Sequence, residues 1–327
     1  MKAIRFHQFG EPERVLNLED ARVPDPGLGE VRVRFTHRPI NPSDLQIVRG
    51  VYPIHASPPA SPGLEGVGRI DALGDGVSGL SVGQRVVSLA GASGTWAEHF
   101  VIPAMRALPV PDLMSDLVAA QAIANPVTAW AMVNDEVSLQ EGDWLLQTAA
   151  SSTLATLVIQ LAKRRGVKTL NVVRRRSQVA EVLARGGDAV VCTEDESFVA
   201  RAREITGGAG VAAAFDAVGG TTGAEAVRCL RRGGTMLSMG LLSGETIGPI
   251  DTRALIFNGN TIRGFWIIEW FGRRPEVIGN ALTEVLTLLT TGGLAPTTEA
   301  QYPLADFRPA LEHVARAGRR GKIMLVG

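Results

Sequence analysis

Cysteine is nearly absent: the 327 residues hold two, Cys192 and Cys229. So small a number excludes a disulfide framework and a four-cysteine zinc lobe, and both residues read as buried structural thiols. Net charge is absent as well, with Lys+Arg and Asp+Glu both at 33. That balance gives no global attraction to nucleic acid or to a membrane surface. No apolar run approaches the roughly twenty residues needed to cross a bilayer. The opening MKAIRFHQF goes straight into an alternating pattern without the basic and then apolar profile of a signal peptide, so the cytoplasm is the expected compartment. Tyrosine is as scarce as cysteine, at two residues, Tyr52 and Tyr302. The five histidines, at 7, 37, 55, 99 and 313, lack metal-ligand spacing and read as surface or packing residues, His55 being the one with a claim to lie near a site.

Glycine is plentiful overall but missing where it would be most informative. The stretch from Gly142 to Arg176 reads as a buried strand (Trp144 to Thr148), a turn of small residues (Ala149 to Thr153), a helix through Arg165 and a second buried strand (Thr169 to Val173). Strand, turn, helix and strand form the first unit of a parallel nucleotide-binding sheet, whose turn takes a pyrophosphate on free N–H groups at the helix start. No glycine lies between Gly142 and Gly166, so Ser151, Ser152 and Thr153 occupy the turn that G-x-G-x-x-G would fill. Their hydroxyls are able to bond phosphate, but their side chains also hold the backbone further off. The second strand ends in Arg174, Arg175 and Arg176. An acidic residue there would read a free ribose 2′-hydroxyl, whereas arginine accommodates a 2′-phosphate, so the expected cofactor is NADP(H).

Around this unit the chain changes character once. Residues 1 to about 125 are rich in Gly and Pro, with short alternating segments (VRVRF, GVGRIDALG, QRVVSLAG, AEHFVIP) that predict an all-β barrel or sandwich. From Gln121 helices alternate with strand candidates at Asp188 to Cys192, Val211 to Asp216, Gly234 to Met239 and Thr261 to Gly264. That alternation predicts an α/β fold with a doubly wound parallel sheet. Apolar residues at helical spacing predict a helix over Pro275 to Thr291, bounded by its proline and by Gly292-Gly293. The closing GKIMLVG reads as a strand, expected to rejoin the N-terminal β domain.

Several strings give the chain a family resemblance: NPSDLQIVRGVYP (41 to 53), SPGLEGVG (61 to 68), GTWAEHFVIP (94 to 103), NPVTAW (125 to 130), DAVGG (216 to 220) and GKIMLVG (321 to 327). With a β domain interrupted by a nucleotide-binding domain, they resemble the medium-chain dehydrogenase/reductase superfamily over essentially the whole chain. NPSD with GVYP, GTWAEH, NPVTA, NVVRRR and RGFWIIEWF is most similar to the NADPH-dependent trans-2-enoyl-thioester reductases. The zinc-free quinone reductases are less specific relatives.

The resemblance implies a GroES-like β-barrel catalytic domain (1–125 and 265–327) and a Rossmann NADP-binding domain (126–264). It also implies no catalytic metal, because Asn41, Leu64 and Ala124 stand where zinc-holding relatives have Cys, His and Cys. By the same resemblance Tyr52 is the catalytic hydroxyl, and Asn41 and Thr128 line the nicotinamide end. Gly219, Met239 and Gly240 close the cofactor crevice, and Phe265, Trp266 and Lys322 are counted with the cofactor-binding residues. Tyr52, Trp266 and Trp270 form the acyl pocket, Trp270 being equally well read as core. Asp44 reads as a structural cap, and Glu65 as a buried carboxylate bonded to backbone or arginine. Arg273, Arg274, Arg316, Arg319, Arg320 and Lys322 form a basic group suited to the phosphates of coenzyme A or an acyl-carrier protein. The implied activity is reduction of the C=C bond of 2-enoyl thioesters; the alternatives are a quinone or general enone reductase, and a cofactor-binding protein without turnover. A small-molecule substrate, no nucleic acid or membrane partner, and a homodimer complete the expectations.

Overall fold

The computed structural model describes residues 1–54, 56–89 and 94–327; His55, the histidine with a claim on the site, lies outside them. Contacts divide the chain into two compact units, Met1–Ala124 with Leu286–Gly327, and Asn125–Val285.

The first unit begins with β1 (Lys2–Arg5) and β2 (Asn17–Asp20), an antiparallel pair. There follow β3 (Glu30–Pro39), β4 (Glu65–Leu73), β5 (Arg85–Leu89), β6 (His99–Pro103) and β7 (Ala107–Pro109). Alternation sets the inner face of β3: Val31, Val33 and Phe35 are buried with Ile70, Val86 and Ile102, while Arg34 faces out.

The second unit holds β8 (Trp144–Gln147), β9 (Lys168–Val173), β10 (Ala189–Cys192), β11 (Val211–Asp216), β12 (Leu230–Ser238) and β13 (Thr261–Gly264). They form one six-stranded sheet in the order β10-β9-β8-β11-β12-β13, every pairing parallel. The order turns back at β8 and β11, the switch point at which doubly wound sheets open a ligand crevice beyond the strand ends. Both thiols are buried in this unit.

The chain then returns to the first unit with β14 (Thr298–Pro303) and β15 (Lys322–Val326). The closing strand rejoins the β domain as the sequence leads one to expect, β15 running antiparallel to β3 and completing a seven-stranded sheet. Tyr302 lies in β14 and not in a loop.

The second domain boundary differs from the sequence reading: the Rossmann-like unit extends past 264 to Val285. Trp270 accounts for this. It is fully buried, its indole N–H donates to Asp135 Oδ2 at 2.8 Å, and its ring meets Trp130 edge-on at 6.3 Å. Trp130 in turn donates to Glu284 at 2.8 Å on helix Pro275–Thr291. Aromatic burial of this size ties the helices Ile267–Arg273 and Pro275–Thr291 to the Rossmann-like unit.

Candidate active site

In the second unit the glycine-poor turn adopts the conformation that glycine would normally supply. Ala149 sits at φ 49°, in the left-handed region that non-glycine residues rarely enter. Ser152 caps helix Thr153–Arg164, its hydroxyl accepting from Ala155 N–H at 3.1 Å. The first N–H groups of that helix, beginning at Thr153, have no intrahelical acceptor and suit a phosphate. Ser151 is gripped twice: Gln178 Nε2 donates to its hydroxyl at 2.6 Å, and Arg185 donates to its carbonyl at 3.2 Å. Neither Gln178 nor Arg185 stands out in the sequence, because nothing local marks a partner 27 or 34 residues away.

Across the crevice Asp216, fully buried at the end of β11, organises the next turn. Its carboxylate accepts from Thr148 Oγ1 at 2.7 Å and from the N–H groups of Val218 and Gly219 at 3.1 and 2.9 Å. Gly219 sits at φ 78°. A side chain on Gly240 would come within 2.7 Å of the Ala217 carbonyl, so the strand ends are drawn close together. Met239 N–H donates to Asp216 O at 2.8 Å, and Phe265 N–H to Ser238 O at 2.8 Å. Trp266 is half-buried before helix Ile267–Arg273, and Thr128 is half-buried on helix Ala124–Ala131. Of the arginine trio, Arg174 is exposed, Arg175 half-buried, and Arg176 is paired with Asp195 at 2.7 Å.

Trp270 is placed in the core, away from a pocket surface, by the contacts already given. Arg273 and Arg274 are likewise occupied, pairing with Glu136 and Asp135 on the π-helical turn Met132–Glu136. Trp270→Phe is therefore expected to cost about 2–3 kcal/mol of stability through lost volume and the lost hydrogen bond to Asp135, which keeps Arg274. Substrate preference should stay unchanged in that variant; a shifted preference at native stability would return Trp270 to the pocket.

The first unit contains a buried polar knot. Asn41 precedes helix Pro42–Arg49, and Asp44 closes a capping box, accepting from Asn41 N–H at 2.7 Å and from Leu64 N–H at 3.0 Å. The structural reading of Asp44 fits this geometry. Glu65 accepts from Asn41 Nδ2 at 3.1 Å and from Ala124 N–H at 2.9 Å. The remaining partner is Lys322, whose ammonium donates to Asn41 Oδ1. An ammonium has only donors and a carboxylate only acceptors, so the Asn41 amide is fixed in one orientation between them.

Lys322 thus stands apart from the exposed arginines Arg316 and Arg320: it is buried on β15, facing two carboxylates. Burial pushes its pKa down against the opposing pull of Glu65 and Asp44, and burial pushes Glu65 up. Asp44 is pushed up to about 7, chiefly by burial, against the hydrogen bond from Asn41 N–H. The folded chain therefore holds this proton more tightly than the unfolded one. The resulting stabilisation is complete below the unfolded pKa of about 4 and disappears as the pH rises through about 7. Wild type should lose about 2 kcal/mol relative to Asp44→Asn between about pH 5 and about pH 8. Urea denaturation of both proteins at the two pH values measures this, and a constant difference would contradict it.

Tyr52 follows the same helix, after Gly50 at φ 75°, and packs half-buried against the apolar core of Ile4, Phe6 and Ile47. Tyr302 is committed elsewhere, its hydroxyl 2.9 Å from His313 Nδ1 and the far ring nitrogen 2.9 Å from Glu299.

Two families match this architecture: the zinc-binding dehydrogenases over residues 153–286, and the alcohol dehydrogenase GroES-like domain over 27–112. The chain belongs to the medium-chain dehydrogenase/reductase superfamily. Among its relatives, the mitochondrial enoyl-[acyl-carrier-protein] reductase of Xenopus tropicalis is 32% identical over 320 residues, covering 95% of this chain and 91% of that protein. The corresponding reductase of Dictyostelium discoideum is 32% identical, covering 99% and 94%. Among solved structures, the quinone oxidoreductase of Escherichia coli, crystallised with NADPH, superposes with a TM-score of 0.91 at 27% identity, each chain covered in full.

The zinc in the first family's description does not fit the residues here. Leu64 and Ala124 offer no side-chain donor, and the oxygen of Asn41 already accepts from an ammonium, which repels a cation. No step of the chemistry is assigned to a metal.

Proposed function

We propose that the chain is an NADPH-dependent reductase of the C=C bond of 2-enoyl thioesters. The observation that carries this reading is the likeness to enoyl-[acyl-carrier-protein] reductases along nearly the whole chain. It is supported by the phenol at Tyr52 in the matching GVYP string. In this reading the crevice of the parallel sheet takes the dinucleotide: its pyrophosphate lies over Ser151, Ser152 and Thr153, and its ribose 2′-phosphate beside Arg174 and Arg175. The cofactor supplies a hydride, which adds to the β carbon and leaves an enolate thioester. Tyr52 donates a hydrogen bond to the enolate oxygen, where negative charge develops, and the α carbon then takes a proton. Thr128, half-buried on its helix, is a suitable partner for the nicotinamide carboxamide, whereas the Asn41 amide is committed at both ends to Glu65 and Lys322 and is not given that role.

The likeness to an NADPH-bound quinone oxidoreductase favours a second reading, hydride transfer to a quinone or enone with less demand on Tyr52. Rates with crotonyl-CoA and with a small benzoquinone under NADPH separate the two. Preference for the thioester supports the first reading, preference for the quinone the second, and neither rate above background would reject both.

The reading extends to a homodimer. β13 is an open sheet edge, and beside it Ile256 and Phe257 on the 252–257 segment are 70% and 66% exposed. An edge strand with adjacent apolar surface suits a second copy of the same edge. Sedimentation velocity should give twice the chain mass, with Phe257→Glu shifting it to the monomer; a monomeric wild type removes the assignment.

A further inference from the structure

The two phosphate-reading loops of the second unit are held together by a single amide. Gln178 Oε1 accepts from Arg175 N–H at 3.1 Å, and its Nε2 donates to Ser151 Oγ at 2.6 Å. Its own N–H donates to the Arg175 carbonyl at 3.0 Å, so the Gln178 backbone and side chain both clasp Arg175. The backbone N–H needs an acceptor, which settles which end of the amide is oxygen. The nitrogen end must then donate to Ser151, and the serine's own proton is left to point away from Gln178. Arg185, seven residues on, reinforces the link by donating to the Ser151 carbonyl and to Thr156 Oγ1 at 2.8 Å, and it pairs with Glu181.

We propose that Gln178 is a positioning residue that couples the pyrophosphate loop at Ser151 to the 2′-phosphate loop at Arg175, so that preference for NADPH over NADH depends on both. The proposal rests on the NADPH reading above. Its physical content is that the hydroxyl under the pyrophosphate and the guanidinium beside the ribose are not independent. A shift of one moves the amide that fixes the other. Because Gln178 donates to Ser151, the serine hydroxyl is kept as a donor for a phosphate oxygen. A glutamate at 178 would retain both contacts but reverse the second: it would accept a hydrogen bond from the serine hydroxyl and add a negative charge facing two phosphates.

The test is calorimetric titration of NADPH and of NADH into wild type, Gln178→Glu, Gln178→Met and Ser151→Ala, with the Ser151→Ala/Gln178→Met double variant. Gln178→Glu should weaken NADPH about thirtyfold or more and NADH about fivefold or less. Ser151→Ala should lower the NADPH-to-NADH preference about fivefold, the size of one hydrogen bond. In the Gln178→Met background the same serine substitution should leave that preference unchanged. A purely structural glutamine predicts equal losses for both dinucleotides, and that result overturns the proposal. So does an unchanged preference in Ser151→Ala. Should Gln178→Glu fail to fold, the Gln178→Met cycle alone decides. If wild type itself does not prefer NADPH, the cofactor reading has failed rather than the coupling.

Discussion

Tyr52→Phe is expected to lower kcat for an enoyl thioester about a hundredfold to a thousandfold, with NADPH affinity unchanged. The substitution removes one oxygen and keeps the ring, which is half-buried against the core of the first unit. The fold around it should persist, since the turn is set by Gly50 at φ 75° and by Val51 N–H donating to Gln46 O at 3.1 Å. What disappears is a hydroxyl donor that offers a hydrogen bond to an enolate oxygen. A hydrogen bond that strengthens as charge builds acts on kcat, whereas one made equally in the ground state acts on KM alone. Tyr302→Phe is the control. Its hydroxyl belongs to the chain through His313 to Glu299, so it should change stability and leave turnover intact. Retained activity in Tyr52→Phe would remove the residue from the mechanism and favour the quinone reading.

How far the sequence leads depends on the range of the forces involved. β11, buried on both faces, is a continuous apolar run and its expected and observed limits coincide, as do those of the more exposed edge strand β13. The long helix Pro275–Thr291 is equally legible, marked by its own proline and glycines. The limits fail where tertiary contacts intervene. The helix between β11 and β12 runs from Gly220 to Arg228, because paired glycines at positive φ start it and β12 claims the residues from Leu230. β14 escapes notice because TEAQYP carries no apolar stripe and owes its form to pairing with β15. In the site, residue types were legible but partners were not. The buried carboxylate at 65 demands a donor, yet nothing near it in sequence announces Lys322, 281 residues from the amide that it bonds. Nor does Ala149 announce a left-handed backbone, which the close approach of β8 to the helix imposes upon it.

Lys322→Met should destabilise the protein by about 3–5 kcal/mol, because it leaves Glu65 and Asp44 buried without their counter-charge. Methionine matches lysine in length and fills the same channel beside β3, so lost packing contributes little. The loss is electrostatic. In wild type the ammonium reaches Glu65 through the amide of Asn41, an ion pair bridged by a neutral group that satisfies both ends. Removing either end strands the other. Glu65→Gln is therefore expected to be destabilising too, and the double variant Glu65→Gln/Lys322→Met should recover at least half of the Lys322→Met loss, the non-additivity expected of two groups in one hydrogen-bond network. The Lys322→Met deficit should also shrink towards acid pH. Once the ammonium is gone both carboxylates are held protonated more readily in the folded chain, and below their unfolded pKa values the missing counter-charge has nothing left to neutralise. Denaturant midpoints for the three variants across this range measure the effect. A Lys322→Met protein within about 1 kcal/mol of wild type at neutral pH would mean that water reaches the knot and screens it. Adding zinc to Lys322→Met should not restore the loss, since Leu64 and Ala124 still offer no ligand.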